Sequence, residues 1–209
     1  INSQDKKGGG WRYQPGQAGV LSATGWHYMA LHSGRMAGIE IPDGVFARGR
    51  EFISSVSGGT HNGIYGYTGP SSNHPAMTAT GMFLRQLDLT PPTDPRQQES
   101  AALIKSRMLK ANKVDFYFDY YATLSLYQHQ GPVWTEWNEN LKKIYITLQH
   151  KTGANKGSWD PKGNHVNPGG RVLATGLGVL ATGPGVIAGW SLRGLRPGHD
   201  HVCSGPEQL

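Results

Sequence analysis

Apolar residues follow a helical period in several separate segments of the chain. Two segments place them on a single helix face: Val45, Gly49, Phe52, Ile53 and Val56, then Leu141, Ile144, Tyr145 and Leu148. In the second segment Lys142 and Lys143 point away from this face, and both segments are typical of amphipathic helices that cover a core. We predict an outer helix for each segment and a third between residues 95 and 112, with Asp43 as the expected N-cap of the first.

A second kind of segment has small apolar residues and few charges. Four of these segments share an Ala-Thr pair: Ala23-Thr24, Ala79-Thr80, Ala122-Thr123 and Ala174-Thr175. The pairs recur at intervals of about 50 residues, a period that is typical of helical-hairpin repeats. We therefore expect four inner helices that pack side by side through these alanines.

A loop with glycine and an aromatic residue precedes three of the inner segments. Its aromatic residue is Trp11 in the first, Tyr67 in the second and Trp159 in the last. Trp11 and Tyr67 precede the alanine of their Ala-Thr pair by 12 residues. The equal spacing predicts that these rings are equivalent and pack, largely buried, across neighbouring hairpins.

These patterns divide the chain into two parts. A helical-hairpin repeat domain spans residues 1–182, with repeats at about 8–58, 63–112, 113–152 and 157–182. A Gly/Pro-rich irregular tail follows at 183–209, because its glycines and prolines disfavour a fourth outer helix. The apolar side of the last inner helix then needs a cover from the nonhelical tail or another chain, which predicts a homo-oligomer or part of a larger repeat protein.

Several short motifs resemble those of a known family. They are Gly9 to Gln17, Thr24-Gly25-Trp26, Tyr65-Gly66-Tyr67, Tyr120 to Thr123 and Gly157 to Pro161. Together they resemble bacterial prenyltransferase and squalene-oxidase repeat proteins, within the terpenoid-cyclase and protein-prenyltransferase superfamily. The resemblance implies an all-α fold built as an α/α-toroid-like array of helical hairpins. Four hairpins are fewer than a closed ring of these families contains, so the ring is expected to be open or incomplete.

The same resemblance implies a central concavity that binds an apolar or aromatic-compatible ligand. The chain lacks the Asp-x-Asp-Asp acid motif of squalene-type cyclases and the Asp-Asp-x-x-Asp magnesium motif of ionising synthases. Its one cysteine lies in the tail, away from any prenyltransferase-like zinc site. No cofactor is therefore expected, and whether the chain is an enzyme stays open.

Candidate catalytic residues are the acids and histidines nearest to aromatic segments: Asp115, Asp119, Glu136, Asp160, His27 and His74. Asp115 and Asp119 are four residues apart and share one helix face, where each carboxylate raises the pKa of the other. The alternative for each residue is a structural role in a helix cap, a solvated face or inter-repeat packing. An enzyme with these groups would be a hydrolase or lyase of a carbohydrate or similar polymer. Besides a ligand-binding domain and such an enzyme, a protein-interaction scaffold without catalysis is the third functional alternative.

Candidate ligand-binding residues are the aromatic side chains Trp26, Tyr28, Tyr67, Tyr121, Trp134 and Trp137. They suit an apolar small molecule or a polysaccharide. His199, His201 and Cys203 have the alternating spacing of metal ligands on an extended strand, but their Gly/Pro-rich surroundings favour a disordered segment. We therefore predict no metal site.

Charge and length narrow the classes of partner. The formal net charge is +6, and residues 141–198 carry most of the excess, which favours an acidic polymer or a membrane surface. No nucleic-acid motif accompanies this charge, so nucleic acid is not an expected partner. Residues 172–192 carry no charge, but their glycines and other small residues favour a buried helix over a membrane span. The single cysteine excludes an internal disulfide and leaves the compartment undetermined.

Overall fold

A computed structural model describes residues 1–162 and 166–183 of the chain. The described residues form an all-α protein, as predicted. Seven α-helices lie in this part: α1 (Leu21–Met36), α2 (Asp43–Ser55), α3 (Pro75–Leu87), α4 (Pro95–Ser106), α5 (Phe116–His129), α6 (Pro132–Leu148) and α7 (Gly170–Thr182). Two short antiparallel strands, β1 (Ser57–Gly58) and β2 (Ile64–Tyr65), and a 3-10 turn at Asn167–Gly169 complete the elements.

The helices form two layers. In one layer α1 packs on α3, α3 on α5, and α5 on α7, whereas α2, α4 and α6 each pack on the helix that precedes them. Ala79, Ala122 and Ala174 are completely buried along the first row, and Ala23 is nearly so. The four Ala-Thr segments are therefore neighbouring inner helices, while closure of the row into a toroid stays a prediction.

Helix α3 lies at the centre of this arrangement. Twelve of its thirteen residues, all but Pro75, are buried. Small and apolar residues make this burial favourable over most of the helix, but Arg85 and Gln86 near its C-terminal end are buried as well. Polar groups in such a position need hydrogen-bonding partners from other elements.

A threonine in each of three inner helices anchors the loop that leads into its hairpin. The backbone N–H groups of Trp11, Tyr65 and Trp159 donate to the hydroxyls of Thr24, Thr78 and Thr175, at 2.9, 3.1 and 3.3 Å. Each ring lies on the residue three positions after that threonine. Trp11 stacks on His27. An added methyl group at Gly81 would lie 2.3 Å from the Tyr65 ring, and one at Gly178 would lie 3.1 Å from the Trp159 ring.

This geometry corrects the predicted alignment of the second hairpin. Tyr65, not Tyr67, is the counterpart of Trp11, and Tyr65 is completely buried whereas Tyr67 is half-buried. Asp43 was also assigned wrongly, because Pro42 is the N-cap of α2. Asp43 lies in the first turn instead, and its exposed carboxylate accepts from Arg35 at 2.8 Å.

The last described helix has an exposed apolar side. Ala174, Leu177 and Ala181 of α7 are buried, but Val172 and Val179 are 85% and 52% exposed. Of the tail predicted at 183–209, residues 184–209 lie outside the described residues. Among the helices that the structure does describe, none combines the length and the hydropathy that crossing a bilayer would require.

Candidate functional site

The two acids proposed as a pair have different environments. Asp115 is the N-cap of α5, and its carboxylate accepts from the backbone N–H groups of Tyr117 and Phe118 at 3.2 and 3.3 Å. Asp119 is completely buried and accepts from the Tyr145 hydroxyl at 3.0 Å and from the Asp115 N–H at 3.2 Å. Burial raises the pKa of Asp119 well above its ordinary value. Burial in the core thus disfavours the charged form of Asp119.

The other two candidate acids form surface ion pairs. Glu136 lies 3.5 Å from the Lys105 ammonium, with both side chains more than half exposed. Asp160 contacts Arg171 and lies 3.0 Å from His150 Nε2. His150, followed by Arg171, lowers the pKa of Asp160. Both acids are about half exposed, and Glu136 lies on α6 whereas Asp160 lies in the loop before α7.

The two candidate histidines lie beside different inner helices. His27 stacks on Trp11 with ring centroids 5.6 Å apart, and its Nδ1 lies 2.9 Å from the carbonyl oxygen of Ala23. His27 therefore completes the packing of the first loop. His74 directly precedes α3 and lines a cavity that a second candidate residue, Asp115, also lines.

That cavity has a volume of about 490 Å³ and a largely cationic lining. Its wall combines the ends of α3, α4 and α5, and its side chains include Asn73, His74, Arg107, Met108, Lys110, Lys113, Asp115 and Phe118. His74 and Asp115 come from separate repeats of the sequence, and the cavity brings them together. Arg107 also donates to the Asn73 side-chain oxygen at 3.2 Å. An acid, an imidazole and three cations around one space suit an anionic ligand.

Aromatic residues from two inner helices and two loops form a second feature, the aromatic cluster: Tyr13, Trp26, Tyr67, Tyr117, Tyr120 and Tyr121. Trp26 of α1 stacks on Tyr120 of α5, with centroids 5.6 Å apart and planes at 10°. Trp26 also meets Tyr121 edge-on at 5.7 Å. Trp26 keeps 41% of its surface exposed, whereas Tyr120 and Tyr121 are buried.

The rest of the aromatic cluster extends from α5 towards the loops. Tyr117 packs on Tyr121 with centroids 5.1 Å apart. Burial raises the pKa of Tyr117, with a smaller contribution from the nearby Tyr67 and Tyr13. The hydroxyls of Tyr13 and Tyr67 lie 3.0 Å apart and share a hydrogen bond. The cluster thus has an apolar body and a phenolic rim.

A glycine allows α1 to approach closely enough to build this cluster. A methyl group at Gly25 would lie 2.9 Å from the Thr80 methyl group and 3.0 Å from the Tyr121 hydroxyl. Both contacts are tighter than ordinary van der Waals packing. Gly25 therefore sets the position of Trp26 over α3 and beside α5.

Three of the aromatic residues proposed as ligand contacts lie elsewhere. Tyr28 is buried and donates to Asp88. Trp134 packs on Tyr127 at 5.3 Å, and Trp137 is buried with its indole N–H donating to Thr123 at 2.9 Å. Of the six residues predicted to bind a ligand, the structure brings together Trp26, Tyr67 and Tyr121.

A partly buried polar network near the C-terminal end of α3 was not anticipated from the sequence. Asp88 accepts from Tyr28 and lies 3.6 Å from Arg50 and 3.8 Å from His32. Burial, and then Arg35 and Arg50, lower the pKa of His32 to about 4. Asp88 directly follows the end of α3, where surface residues are common. Its position in the sequence therefore did not indicate this network.

Within residues 1–162 and 166–183, no group of three or more His, Cys, Asp or Glu side chains is arranged to hold a metal ion. His199, His201 and Cys203 lie outside these residues. Comparison with protein-family models, curated proteins and solved structures gives no match to the chain. The family resemblance of the motifs stays a prediction.

Proposed function

We propose that the chain is a terpenoid-cyclase-like repeat domain that binds an apolar or aromatic-compatible ligand at the aromatic cluster. The observation that carries this proposal is the 41% exposure of Trp26, although one face of its ring is stacked on Tyr120. An exposed indole on a buried aromatic base offers a rigid apolar surface, which ligand sites commonly use.

The place of the cluster in the fold supports this proposal. Its central residues come from α1 and α5, which pack on opposite sides of α3. In an α/α-toroid-like ring, side chains that meet in front of an inner helix would face the central concavity. We therefore propose that the cluster lines this concavity.

The electrostatics of the cluster favour an uncharged ligand. Burial raises the pKa of Tyr120 to about 12 and that of Tyr121 well above its ordinary value. The phenols of Tyr120 and Tyr121 therefore stay uncharged at physiological pH, and the hydroxyls of Tyr13 and Tyr67 can donate or accept hydrogen bonds at the rim. A prenyl alcohol, with an apolar chain and one hydroxyl, has the matching chemistry.

Titration with farnesol, followed by tryptophan fluorescence and calorimetry, tests the proposal. Trp26→Ala is expected to weaken binding at least about tenfold, as loss of a central aromatic contact does. Trp134→Ala is the matched control, because that indole packs on Tyr127 outside the cluster. Equal affinities of the two variants, or no binding by the unchanged protein, would contradict the proposal, and binding of cello-oligosaccharides alone would favour a carbohydrate ligand.

The cationic cavity supports a second candidate, a hydrolase or lyase of an acidic polysaccharide. His74 and Asp115 line the cavity with Arg107, Lys110 and Lys113. The cations would bind uronate carboxylates, and the imidazole would act as the general base or acid. This candidate rests on the joint placement of His74 and Asp115.

Incubation with polygalacturonate and hyaluronate, with detection of new reducing ends and unsaturated products, tests the second candidate. His74→Ala is expected to abolish cleavage. Asp115→Asn retains an N-cap for α5 and is expected to reduce cleavage without unfolding the protein. Glu136→Gln, which changes an exposed acid on α6, is the control, and activity that survives in His74→Ala would refute this assignment.

A further inference from the structure

Arg85 is a buried cation in the last turn of α3. The residue is only 8% exposed. Among the residues that the structure describes, no carboxylate lies within the 4.0 Å limit of an ion pair with its guanidinium. A buried charge without a counter-ion is strongly unfavourable, and proteins normally supply a partner for it.

The acids nearest to Arg85 are bound to other groups. Asp94 makes a two-pronged contact with Arg96, at 2.9 and 2.7 Å, and Asp88 accepts from Tyr28 at 2.8 Å. Arg85 therefore forms no direct ion pair with either carboxylate. Arg85 interacts with both carboxylates only at longer range, and within residues 1–162 and 166–183 it has no directly paired counter-ion.

The hydrogen bonds of Arg85 are also incomplete. One terminal nitrogen donates to the Ser54 hydroxyl at 2.8 Å, but the buried Nε has no partner in the described part of the chain. The hydroxyl of Tyr65 is buried and likewise lacks a well-formed hydrogen bond there. Burial raises the pKa of Tyr65 and the adjacent Arg85 opposes this change, which places the two groups side by side.

Arg85 lines a cavity of about 690 Å³ between the end of α2, the turn after β1 and the start of α4. The other side chains around this space are almost all hydrogen-bond donors: Ser54, Ser57, Thr60, His61, Asn62 and Arg96. Its one acid, Asp94, is neutralised by Arg96. The space therefore carries the net positive charge of Arg85 and a ring of hydroxyl and amide groups.

We propose that this cavity binds a phosphorylated polyol, such as a sugar phosphate, with Arg85 as the counter-ion of the phosphoryl group. Guanidinium groups suit phosphate oxygens because their N–H donors lie in one plane. A phosphate ion would fill only a small part of 690 Å³, which is within the usual range of small-molecule sites. The hydroxyl-rich wall suits the polyol portion. The site shares no residue with the aromatic cluster or the cationic cavity.

Calorimetric titration with glucose 6-phosphate, inorganic phosphate and glucose tests the proposal. Glucose 6-phosphate is expected to bind more tightly than phosphate, and glucose not at all at the same concentrations. Arg85→Met is expected to reduce the affinity for glucose 6-phosphate at least about tenfold, whereas Lys143→Met, on the exposed side of α6, leaves it unchanged. No binding by the unchanged protein, or equal binding by Arg85→Met, would overturn the proposal, and binding of phosphate alone would overturn the polyol portion.

Hydrogen exchange on the unchanged protein provides a test that needs no variant. Glucose 6-phosphate is expected to slow exchange in residues 54–62, while glucose and sodium chloride of matched ionic strength have no such effect. This control matters because phosphate stabilises many proteins without binding a specific site. Unchanged exchange in this segment under saturating ligand would contradict the proposed site.

Discussion

The Tyr28 hydroxyl donates to both carboxylate oxygens of Asp88, at 2.8 and 3.0 Å, across 60 residues of sequence. This contact joins the middle of α1 to the C-terminal end of α3. The ring of Tyr28 also lies against Gly49 of α2, where an added methyl group would come within 2.6 Å of it. One side chain thus holds three helices in register.

Removal of this hydroxyl should destabilise the fold. Tyr28→Phe leaves the partly buried Asp88 with fewer hydrogen bonds, and we expect a loss of about 1.5–3 kcal/mol in the free energy of unfolding, as for hydrogen bonds to charged groups. Urea denaturation measures the change. Tyr13→Phe, on a residue that is 71% exposed, should change stability by less than about 0.5 kcal/mol. Equal effects of the two substitutions would contradict this interpretation.

The low pKa of His32 predicts a loss of stability in acid. Its pKa is about 4 in the folded protein and about 6.5 in the unfolded chain. Because the unfolded chain takes up the proton first, this residue destabilises the fold progressively as the pH falls from about 6.5 to about 4. The full effect is about 3 kcal/mol.

Comparison of pH profiles isolates this effect of His32. The unfolding free energy of His32→Gln should fall less between pH 7 and pH 4 than that of the unchanged protein. The difference between the two profiles is the relevant quantity, because Asp88 contributes to both. Burial raises the pKa of Asp88, so its protonation stabilises the fold as the pH falls, opposite to the effect of His32. Parallel profiles would show that His32 is not held neutral.

Asp119 should give the opposite pH dependence. Its folded pKa is raised, so stability falls as the pH rises from the unfolded value of about 3.9 through the folded value. The amide in Asp119→Asn resembles the protonated carboxyl and should remove this loss of stability. The free energy of unfolding of Asp119→Asn, relative to that of the unchanged protein, should therefore increase with pH. Denaturation at pH 5 and pH 8 measures the difference. Asp119→Ala should instead lose about 1–3 kcal/mol at pH 5, because the Tyr145 hydroxyl loses its acceptor.

Substitution of the loop aromatic residues tests the corrected alignment of the hairpins. Trp11→Ala and Tyr65→Ala remove completely buried rings and should each cost about 3–5 kcal/mol. Tyr67→Ala, at a half-buried site, should cost clearly less. Unfolding midpoints in urea provide the comparison. A larger loss for Tyr67→Ala than for Tyr65→Ala would restore the alignment that sequence spacing suggested.

The exposed side of α7 leads to a prediction about assembly. Val172 and Val179 lie on one face of the helix and expose apolar surface, which favours association with a second copy. Light scattering should show a dimer at high micromolar concentration, and the double substitution Val172→Lys and Val179→Lys should shift it to monomer. A monomeric unchanged protein at that concentration would contradict the prediction.

The all-α class and the neighbouring inner helices could be predicted because their signals are local and repeated. Ala79 and Ala122 show this, since small residues at a recurring position indicate close helix packing. The choice between Tyr65 and Tyr67 could not be made in that way, because both flank Gly66. Pairing of Ser57 with Tyr65 in the small sheet places the Tyr65 backbone N–H against the Thr78 hydroxyl. This pairing is a tertiary contact, which sequence spacing alone does not indicate.

The candidate sites were predictable only in part. Trp26 and Tyr121 stand out as aromatic residues in inner segments, but their contact depends on how α1 and α5 pack around α3. His74 and Asp115 were identified singly, and only the fold places them around one cavity. Arg85 gave no signal at all, because an arginine near the end of a helix ordinarily extends into solvent.

The stacking of Trp26 on Tyr120 has a mechanical consequence. It braces α1 against α5 over the intervening α3, so these three helices resist separation as one unit. Helix α7 contacts the row through α5, with α6 and the 3-10 turn beside it, and within the described residues no aromatic side chain of α7 stacks on another helix. Tension applied between Leu21 and Thr182 would therefore separate α7 before the braced core yields, and a ligand bound to Trp26 would strengthen the core without slowing that first step.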